Sequence, residues 1–454
     1  MAGVKVLLWI DVEDYITPQS QDSLLALLQM LNKRNVKGIF KFVGEKARRV
    51  EEDGRADIVS ELQRHEVGYH TDLHSQHPVT TEYLELLGFR SGAEEYEARE
   101  RQGLEDVRRI TGKPALCYGQ AGYSWAPQTF AALNKWGIPV YLDDHDHVSW
   151  QEKPFWYGGL LNFTHLKGTM RMKLREGGLE EAKRQFDRLY DELSSEPAGF
   201  VSIYYHECDF VCSAFWDKEN FGRGRQTPRE LWKPAPLKPA GEMEFYLEQL
   251  GQFIDYTLSK ENVEYIGSEQ ALALECSSHA PVGESELRAL AASIGDELGF
   301  RVSGTHSLSP ADLYSLFRGL LLGKELTPEF LYGPENEVES ETSGTVRVSD
   351  LIRALGAEHP EVLGFKMLPD SFELNGGKIS PLDLTCTMAR IVEHGLSGDD
   401  EVEIVRGKLK TMECAGDNEL WGTRWSIFPE DLRVPNVVRM SKLQTWTMKP
   451  AIFG

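Results

Sequence analysis

The sequence predicts an α/β protein, with a distorted (β/α) barrel of about seven strands followed by a mainly helical C-terminal domain that carries an internal duplication. Short apolar runs alternate with helical patterns in the first part of the chain, which is typical of parallel strands with crossover helices. No GxGxxG follows the first apolar run, so a dinucleotide-binding sheet is disfavoured. The pattern changes at residues 276–283 (CSSHAPVG), which we interpret as a linker between a barrel domain (1–278) and a helical domain (279–454).

Seven apolar runs and six helical patterns predict the elements of the barrel. The predicted strands are residues 4–10, 38–43, 66–69, 115–118, 139–142, 200–205 and 263–266. The predicted helices are residues 21–32, 56–64, 97–110, 127–136, 179–193 and 242–258. Seven strands over this length favour a closed barrel over an open doubly wound sheet.

The C-terminal region repeats part of its own sequence. The matching pairs are LRAL at 287–290 and IRAL at 352–355, Gly-Phe at 299–300 and 364–365, and SPADL at 309–313 and SPLDL at 380–384. Each Ser-Pro-x-Asp-Leu predicts a helix start, with serine as the N-cap, proline at the first position and aspartate in the first turn. A duplication of this kind indicates a binding or packing module rather than an active site.

Composition and charge exclude several classes of function. Hydrophobic residues make up 41% and charged residues 26%, as in an ordinary soluble globular protein. The net charge of −22 repels phosphate backbones and anionic membranes, so we expect neither nucleic acid nor a membrane as partner. The apolar run at 4–10 is too short for a signal peptide, and no run is long enough for a membrane span. We therefore expect a cytoplasmic protein, and the sequence leaves a homo-oligomer open.

Histidines and acids follow several of the predicted strands. His70 and His74 come after the third strand, and two neutral imidazoles four residues apart on a helical turn can reach one metal ion. DVED at 11–14 ends the first strand, where three carboxylates are costly to gather unless a cation or a catalytic task compensates. His206 and the sequence DDHDH at 143–147 end two more strands. Two half-buried histidines and an acidic helix cap are the alternatives for the first two motifs, but four converging strand ends predict a site at the barrel mouth.

In this order, the motifs resemble those of the polysaccharide deacetylases with a NodB-homology domain, which are carbohydrate esterases of the family 4 type. DVED resembles the first motif and FKFVGEKA at 40–47 is similar to the second strand of the family. HEVGYHTDLH at 65–74 resembles the second motif, and IYYH at 203–206 resembles the last. The resemblance covers roughly residues 1–275 and implies a barrel of the same type.

The resemblance implies a metal centre and its base. It implies that His70 and His74 bind a divalent metal, usually zinc, and that Asp11 is the general base. The third ligand is either Glu13 or Asp14, and the DVED spacing leaves this choice open.

The resemblance also implies that His206 is the general acid. An acidic neighbour would keep its imidazole charged. Asp144 or Asp146 could serve, because this stretch is loosely similar to the fourth motif of the family.

One motif departs from the family. The third motif normally reads RxPxG, and its arginine orients the base, whereas residues 118–122 here read YGQAG. The base is then oriented differently, the substrate is unusual, or activity is weak. Tyr118, Gln120 and Trp125 become candidates for substrate contact, and packing at the barrel mouth is the alternative for all three.

The segment 368–380 of the C-terminal region looks like pseudomurein-binding repeats, which are helical modules that bind cell-wall polymers. A plain packing or oligomerisation role is the alternative. Together, the motifs predict a metal-dependent hydrolase that removes an N-acetyl group from an amino sugar, an oligosaccharide or a sugar conjugate. The alternatives are a hydrolase of a small non-sugar amide on the same barrel, and a catalytically silent carbohydrate-binding protein with a retained metal site.

Overall fold

The computed structural model describes residues 3–454, and residues 1 and 2, where the predicted barrel domain begins, lie outside that range. The strands are β1 (Val4–Val12), β2 (Ile39–Phe42), β3 (Glu66–Tyr69), β4 (Ala115–Tyr118), β5 (Val140–Leu142), β6 (Phe155–Tyr157), β7 (Leu160–Phe163), β8 (Thr169–Met170), β9 (Gly199–His206), β10 (Val263–Tyr265), β11 (Glu297–Leu298), β12 (Arg301–Ser303), β13 (His306–Leu308), β14 (Thr345–Arg347), β15 (Glu361–Val362), β16 (Phe365–Lys366), β17 (Phe372–Leu374), β18 (Gly377–Ile379), β19 (Glu401–Glu403), β20 (Lys408–Leu409) and β21 (Lys449–Pro450).

The helices lie between these strands along the whole described range. They are α1 (Gln19–Arg34), α2 (Gly44–Glu52), α3 (Ala56–Leu62), α4 (Thr80–Leu84), α5 (Phe89–Thr111), α6 (Thr129–Lys135), α7 (Gly178–Leu193), α8 (Lys218–Phe221), α9 (Glu242–Leu258), α10 (Ser268–Leu274), α11 (Glu284–Ala292), α12 (Pro310–Leu321), α13 (Val348–Ala354), α14 (Pro381–His394) and α15 (Pro435–Leu443). Within residues 3–454, no helix combines the length and the apolar character that crossing a membrane requires.

The predicted fold class is confirmed. The main sheet follows the order β21-β6-β7-β5-β4-β3-β2-β1-β9-β8, with β10 also paired to β1. All seven predicted strands are present, and the strands from β7 to β8 in this order are parallel. The sheet keeps two edges, β8 and β21, so the barrel is open on one side rather than closed.

The hairpin of β6 and β7 is not among the predicted strands. Gly158 and Gly159 form its two-residue turn, with φ of 59° and 83°. Positive φ at both central positions is the requirement of the tight hairpin turn that a Gly-Gly pair meets. Trp156 and Tyr157, which stand directly before this turn, are interpreted from the sequence alone as aromatic residues of a loop rather than of a strand.

The register of β1 places the site. Asp11 stands opposite Lys41 of β2 on one side and His206 of β9 on the other. Because paired residues of parallel strands point to the same face of a sheet, the three side chains lie side by side at the carboxyl end. The rest of β1 is an almost continuous buried apolar run, as expected of a parallel strand covered on both faces.

The sequence duplication of the C-terminal region is also present in its structure. Each copy ends in a short hairpin, β12–β13 or β17–β18, followed by a helix, α12 or α14. Ser309 Oγ accepts a hydrogen bond from the backbone N–H of Asp312, and Ser380 Oγ accepts one from Asp383, at 3.1 Å in both cases. The predicted helix starts are therefore confirmed, and α14 packs against both α11 and α12.

The last forty or so residues return to the barrel. β21 adds an antiparallel strand to β6, and Ile427, Phe428 and Met448 are buried in the same apolar cluster as the side chains of β1. A second cluster, centred on α12 and α14, belongs to the duplicated region. The boundary at 278/279 stays a prediction.

A chain ending at residue 278 tests how far the barrel depends on this returning segment. Removing residues 279–454 uncovers the core that Ile427, Phe428 and Met448 close, and each such side chain contributes about 1.5–3 kcal/mol. We expect a truncated protein with a lower melting temperature and a surface that binds a hydrophobic dye. Circular dichroism and dye fluorescence measure both. A truncated chain that melts at the temperature of the full chain contradicts the expectation.

Candidate metal centre and active site

A cavity of about 310 Å³ lies at the carboxyl ends of the central strands. Most of the predicted site residues line it, together with aromatic side chains. The lining includes Trp9, Asp11, Glu13, His70, His74, Gln120, Asp143, Asp144, Tyr204, His206, Phe215, Trp425 and Ser426. Residues that lie far apart in the chain thus meet at one end of the sheet.

Glu13, His70 and His74 form the first cluster in this cavity. Glu13 Oε2 lies 3.1 Å from His70 Nε2 and 2.9 Å from His74 Nε2. All three residues are buried, and their ligand atoms are close enough to hold one ion. Neighbouring ligand atoms of a tetrahedral zinc site are about 3.3 Å apart, so the cluster is already near the right size.

Hydrogen bonds on the far side of each imidazole leave both Nε2 atoms free for a metal. His70 Nδ1–H donates to the Gly119 carbonyl at 2.9 Å. His74 Nδ1–H donates to Ser75 Oγ at 2.6 Å, and the Ser75 hydroxyl donates to Asp217 at 2.7 Å. Such outer partners set the tautomer and the orientation of metal-binding histidines. His74 Nε2 is buried and faces Glu13 Oε2 at 2.9 Å, so a metal ion bound here would be held by both atoms.

The histidine pair does not lie on the expected helical turn. Residues 70–79 form an irregular loop, in which Thr71 and His74 have φ of 66° and 54°. These left-handed positions turn the chain back, so that both rings face Glu13. Asp72 anchors the loop through an ion pair of 2.8 Å with Arg48.

Glu13 contacts the histidines and Asp14 does not. Asp14 Oδ1 accepts backbone hydrogen bonds from Ile16 and Thr17 at 3.0 and 2.8 Å, as the leading residue of a turn does. The other oxygen of Glu13, Oε1, accepts a hydrogen bond of 2.8 Å from Trp216 Nε1. The alternation of side chains along an extended segment explains why only one of the two carboxylates reaches the cluster.

Electrostatics favour the ionised form of Glu13. Burial opposes the charge, but the cationic forms of His74 and His206 and the bonded imidazoles hold the pKa of Glu13 well below its usual value. An anionic oxygen beside two imidazole nitrogens is the donor set that a divalent cation takes up.

Asp11 is paired with a buried lysine. Lys41 Nζ lies 2.9 Å from Asp11 Oδ1 and 3.5 Å from Asp143 Oδ2, and it donates to the Leu142 carbonyl at 2.9 Å. The Lys41 side chain has no exposed surface and its Nζ lies 3.9 Å from the centre of the Trp9 ring. Burial lowers the pKa of Lys41, but Asp11 and Asp143 more than offset this and raise it.

Lys41 supplies a cation beside Asp11, the predicted base, whereas residues 118–122 contain no arginine. Two glycines make room for it. A Cβ at Gly119 would lie 2.1 Å from Lys41 Nζ, and a Cβ at Gly68 would lie 2.7 Å from Lys41 Cγ. The signal that sequence reasoning overlooked is a charged residue inside the otherwise apolar strand β2.

His206 lies beside Asp11 at the edge of the cavity, with Nε2 4.0 Å from Asp11 Oδ2. Its Nδ1–H donates to Asp209 at 3.0 Å. Burial opposes the positive charge, but Asp209, Glu13 and Asp11 raise the pKa of His206 to about 10. The acidic neighbour is therefore Asp209, three residues further along the chain.

The acids expected to hold His206 lie elsewhere. Asp144 lines the cavity, and its pKa is raised by burial. Asp146 accepts from the Tyr123 hydroxyl and lies 3.5 Å from Arg424. The prediction that Asp144 or Asp146 accompanies His206 is corrected. Four strands separate β5 from β9 in the sheet, whereas Asp209 lies three residues after His206 and bonds its ring.

Only one of the three substrate-contact candidates lines the cavity. Gln120 does so, and its Oε1 accepts a hydrogen bond of 2.6 Å from the Tyr141 hydroxyl. Tyr118 is fully buried, and Trp125 stacks on His147 with ring centres 5.1 Å apart. Tyr118 and Trp125 are therefore packing residues, which was the alternative to substrate contact.

Trp425 comes to the cavity from the C-terminal region. Its ring centre lies 5.7 Å from that of His74, and a Cβ at Gly122, where φ is 49°, would lie 2.3 Å from its ring. The absence of a side chain at Gly122 thus leaves room for the Trp425 ring to pack against His74. No local sequence pattern could have indicated this contact, because the two segments are joined only by the tertiary fold.

No family model matches this chain, and no curated protein sequence matches it. A protein from Mycobacterium smegmatis assigned as a polysaccharide deacetylase has 15% identity and a TM-score of 0.40, over 60% of this chain and 90% of that one. An allantoinase has 15% identity and a TM-score of 0.39, over 59% and 89%. A 4-alpha-glucanotransferase from Thermococcus litoralis has 16% identity and a TM-score of 0.41, over 60% and 40%. At these values, the likenesses carry no argument about activity.

Lys41→Met tests the buried ion pair. The substitution leaves Asp11 and Asp143 without their cation, and breaking a buried pair from one side costs about 3–5 kcal/mol. We expect that loss in the free energy of unfolding from urea titration, and a smaller loss when Asp11→Asn is also present.

Lys5→Met is the matched control for this prediction. Lys5 lies on the same sheet and pairs with Glu264 at 2.8 Å, but that glutamate is more than half exposed. A surface pair of this kind contributes about 0–1 kcal/mol. Equal losses in the Lys41 and Lys5 variants would contradict the expected role of burial.

Proposed function

We propose that this protein is a metal-dependent hydrolase that removes an N-acetyl group from an amino sugar or a sugar conjugate. One observation carries the proposal: the cluster of Glu13, His70 and His74 shares a cavity with Asp11 and His206. A metal-ligand set, an acid and a base within one cavity are the parts that hydrolysis of an amide requires.

The donor set fits zinc. Two imidazole nitrogens and one carboxylate oxygen are the ligands of many catalytic zinc sites, which keep further positions open. When bound there, a divalent ion supplies Lewis acidity toward the amide carbonyl and lowers the pKa of water.

Asp11 and His206 provide the proton transfers. Lys41 holds Asp11 Oδ1, so Oδ2 is directed toward the cavity and accepts the proton of the attacking water. His206 carries a proton at neutral pH and donates it from Nε2 to the leaving amine. Asp209 holds the other nitrogen of that ring and fixes its direction.

The size of the cavity favours a small substrate. At about 310 Å³, it lies at the lower end of the volumes of ligand pockets. Trp425 and Ser426 of the C-terminal region take part in its lining and limit its extent. A single acetylated sugar fits this space better than a stretch of polymer, and the same restriction keeps a small non-sugar amide as the second candidate.

Metal content and acetate release test the proposal together. The zinc-loaded protein is assayed with N-acetylglucosamine, its oligomers and simple acetamides. We expect about one zinc per chain, retained in Asp11→Asn and lost in His74→Gln. Turnover falls about 10²–10⁴-fold in Asp11→Asn, because the general base is gone, while ligand binding by calorimetry remains.

His394→Gln is the control, since His394 lies on the exposed end of α14. It should keep both the metal and the activity. Metal and ligand binding without turnover in the unmodified protein would instead indicate a silent carbohydrate-binding protein. A protein that binds no divalent metal contradicts the proposal outright.

Asp209→Asn tests the general acid through pH. The Asp209 carboxylate stabilises the charged imidazole, so its removal lowers the pKa of His206. The protonated form is then lost at a lower pH, and the alkaline limb of kcat/KM moves to lower pH. Asp255→Asn, at an exposed position of α9, is the control that should leave the limb unchanged. An unmoved limb in Asp209→Asn would remove His206 from its role.

A further inference from the structure

A second cavity, of about 410 Å³, lies beside the candidate active site. Phe215 lines both cavities, and its ring centre lies 4.9 Å from that of His206. Asp209, which holds His206, also lines the second cavity. The second cavity therefore adjoins the site on the side of the general acid.

Four basic side chains line this second cavity, which we call the basic cavity: Arg171, Lys173, Arg175 and Lys238. The chain as a whole carries a net charge of −22, so this concentration of positive charge runs against the composition. Like charges gathered around one space repel each other unless an anion lies among them.

Carboxylates of the protein compensate only part of this charge. Asp209 lies 3.7 Å from Arg171 and is shared with His206. Glu181 is shared in the same way by Lys173 and Arg175, at 2.8 and 2.5 Å. Two carboxylates therefore pair with three of the four basic side chains and with the imidazole of His206.

Lys238 and Arg171 keep hydrogen-bonding capacity for a ligand. Lys238 Nζ donates to the backbone carbonyl of Asp209 at 2.6 Å and enters no ion pair found within residues 3–454. The Arg171 guanidinium lies 5.2 Å from the centre of the Tyr204 ring, and Tyr204 lines the active-site cavity. A guanidinium held over an aromatic ring presents its planar edge to oxyanions, which it binds in a bidentate manner.

We propose that the basic cavity binds an anionic group, a phosphate or a carboxylate, carried by the substrate of the proposed hydrolase. The inference rests on the proposed function for the reaction and adds the class of substrate. Because His206 protonates the leaving amine, the anionic group belongs to the half of the substrate that is released as an amine. The substrate class is thus an N-acetylated amino sugar that carries a phosphate or a carboxylate, rather than a neutral polymer.

The positive charge of the basic cavity explains how a protein with a net charge of −22 can bind an anionic substrate. The overall negative potential repels long polyanions, whereas a small anion that reaches the basic cavity meets a positive field in a partly enclosed space. A single charge-assisted contact of this kind corresponds to about a tenfold or larger change in affinity.

Binding of inorganic phosphate to the metal-free protein tests the cavity independently of catalysis. Calorimetry on the unmodified chain should detect saturable binding of phosphate. This binding cannot be to zinc, because the metal-free protein holds none. Lys238→Met and Arg171→Gln should each weaken it about tenfold. Arg353→Gln, which removes a highly exposed arginine in the duplicated region, should leave it unchanged. Absence of binding, or equal loss in Arg353→Gln, overturns the proposal.

Steady-state kinetics of the zinc-loaded protein then compare three substrates: N-acetylglucosamine, its 6-phosphate and N-acetylmuramic acid. We expect kcat/KM to be at least about tenfold higher for an anionic substrate, and Lys238→Met to raise KM for that substrate more than for the neutral sugar. A preference for the phosphate or for the carboxylate identifies the source of the anion.

The two proposals fail in distinguishable ways. Deacetylation of the neutral sugar without any preference for the anionic substrates overturns the basic cavity and leaves the proposed function standing. Phosphate binding that is lost in Lys238→Met, without acetate release from any substrate, supports the cavity and overturns the reaction.

Discussion

Lys41 carries a positive charge into a part of the sheet from which water is excluded. A lone ammonium there would be very costly, and its stability depends on the carboxylates of Asp11 and Asp143 beside it. The same contacts determine where Asp11 points, so the geometry of the candidate base follows from the need to neutralise a buried lysine. Gly68 and Gly119 complete this arrangement, because any side chain at either position would meet the lysine.

The cluster of Glu13, His70 and His74 follows the same principle of paired polar groups. Each of its imidazoles has one nitrogen held by an outer partner, the Gly119 carbonyl or the Ser75 hydroxyl, and the other nitrogen directed toward Glu13. Gly119 thus takes part twice, through its carbonyl for His70 and through its missing side chain for Lys41. The histidine cluster and the ion pair of Asp11 with Lys41 therefore depend on the same residue, Gly119, just after β4.

The C-terminal region shapes the site from outside. Its duplicated helices form a second apolar cluster, but its later segments return to the barrel and bring Trp425 against the histidine loop. Trp425 thus lines the candidate active site on one side, and the basic cavity adjoins this site on the side of His206, where Phe215 lines both cavities. The surroundings of the site are therefore aromatic on one side and positively charged on the other.

The sequence by itself determined the succession of strands and helices in the first half and the duplication of the second half, and it named Asp11, His70, His74 and His206 as candidates for one site. These depend on local patterns: apolar periodicity, N-cap chemistry and short motifs at strand ends. Only the tertiary structure showed that Glu13, and not Asp14, contacts the two histidines, that Asp209 bonds His206 and that Lys41 pairs with Asp11. It also placed Trp425 at the cavity and gathered four basic residues beside it. The physical reason is that such contacts depend on strand register and on the close approach of distant segments, and neither property is expressed in the residues adjacent along the chain.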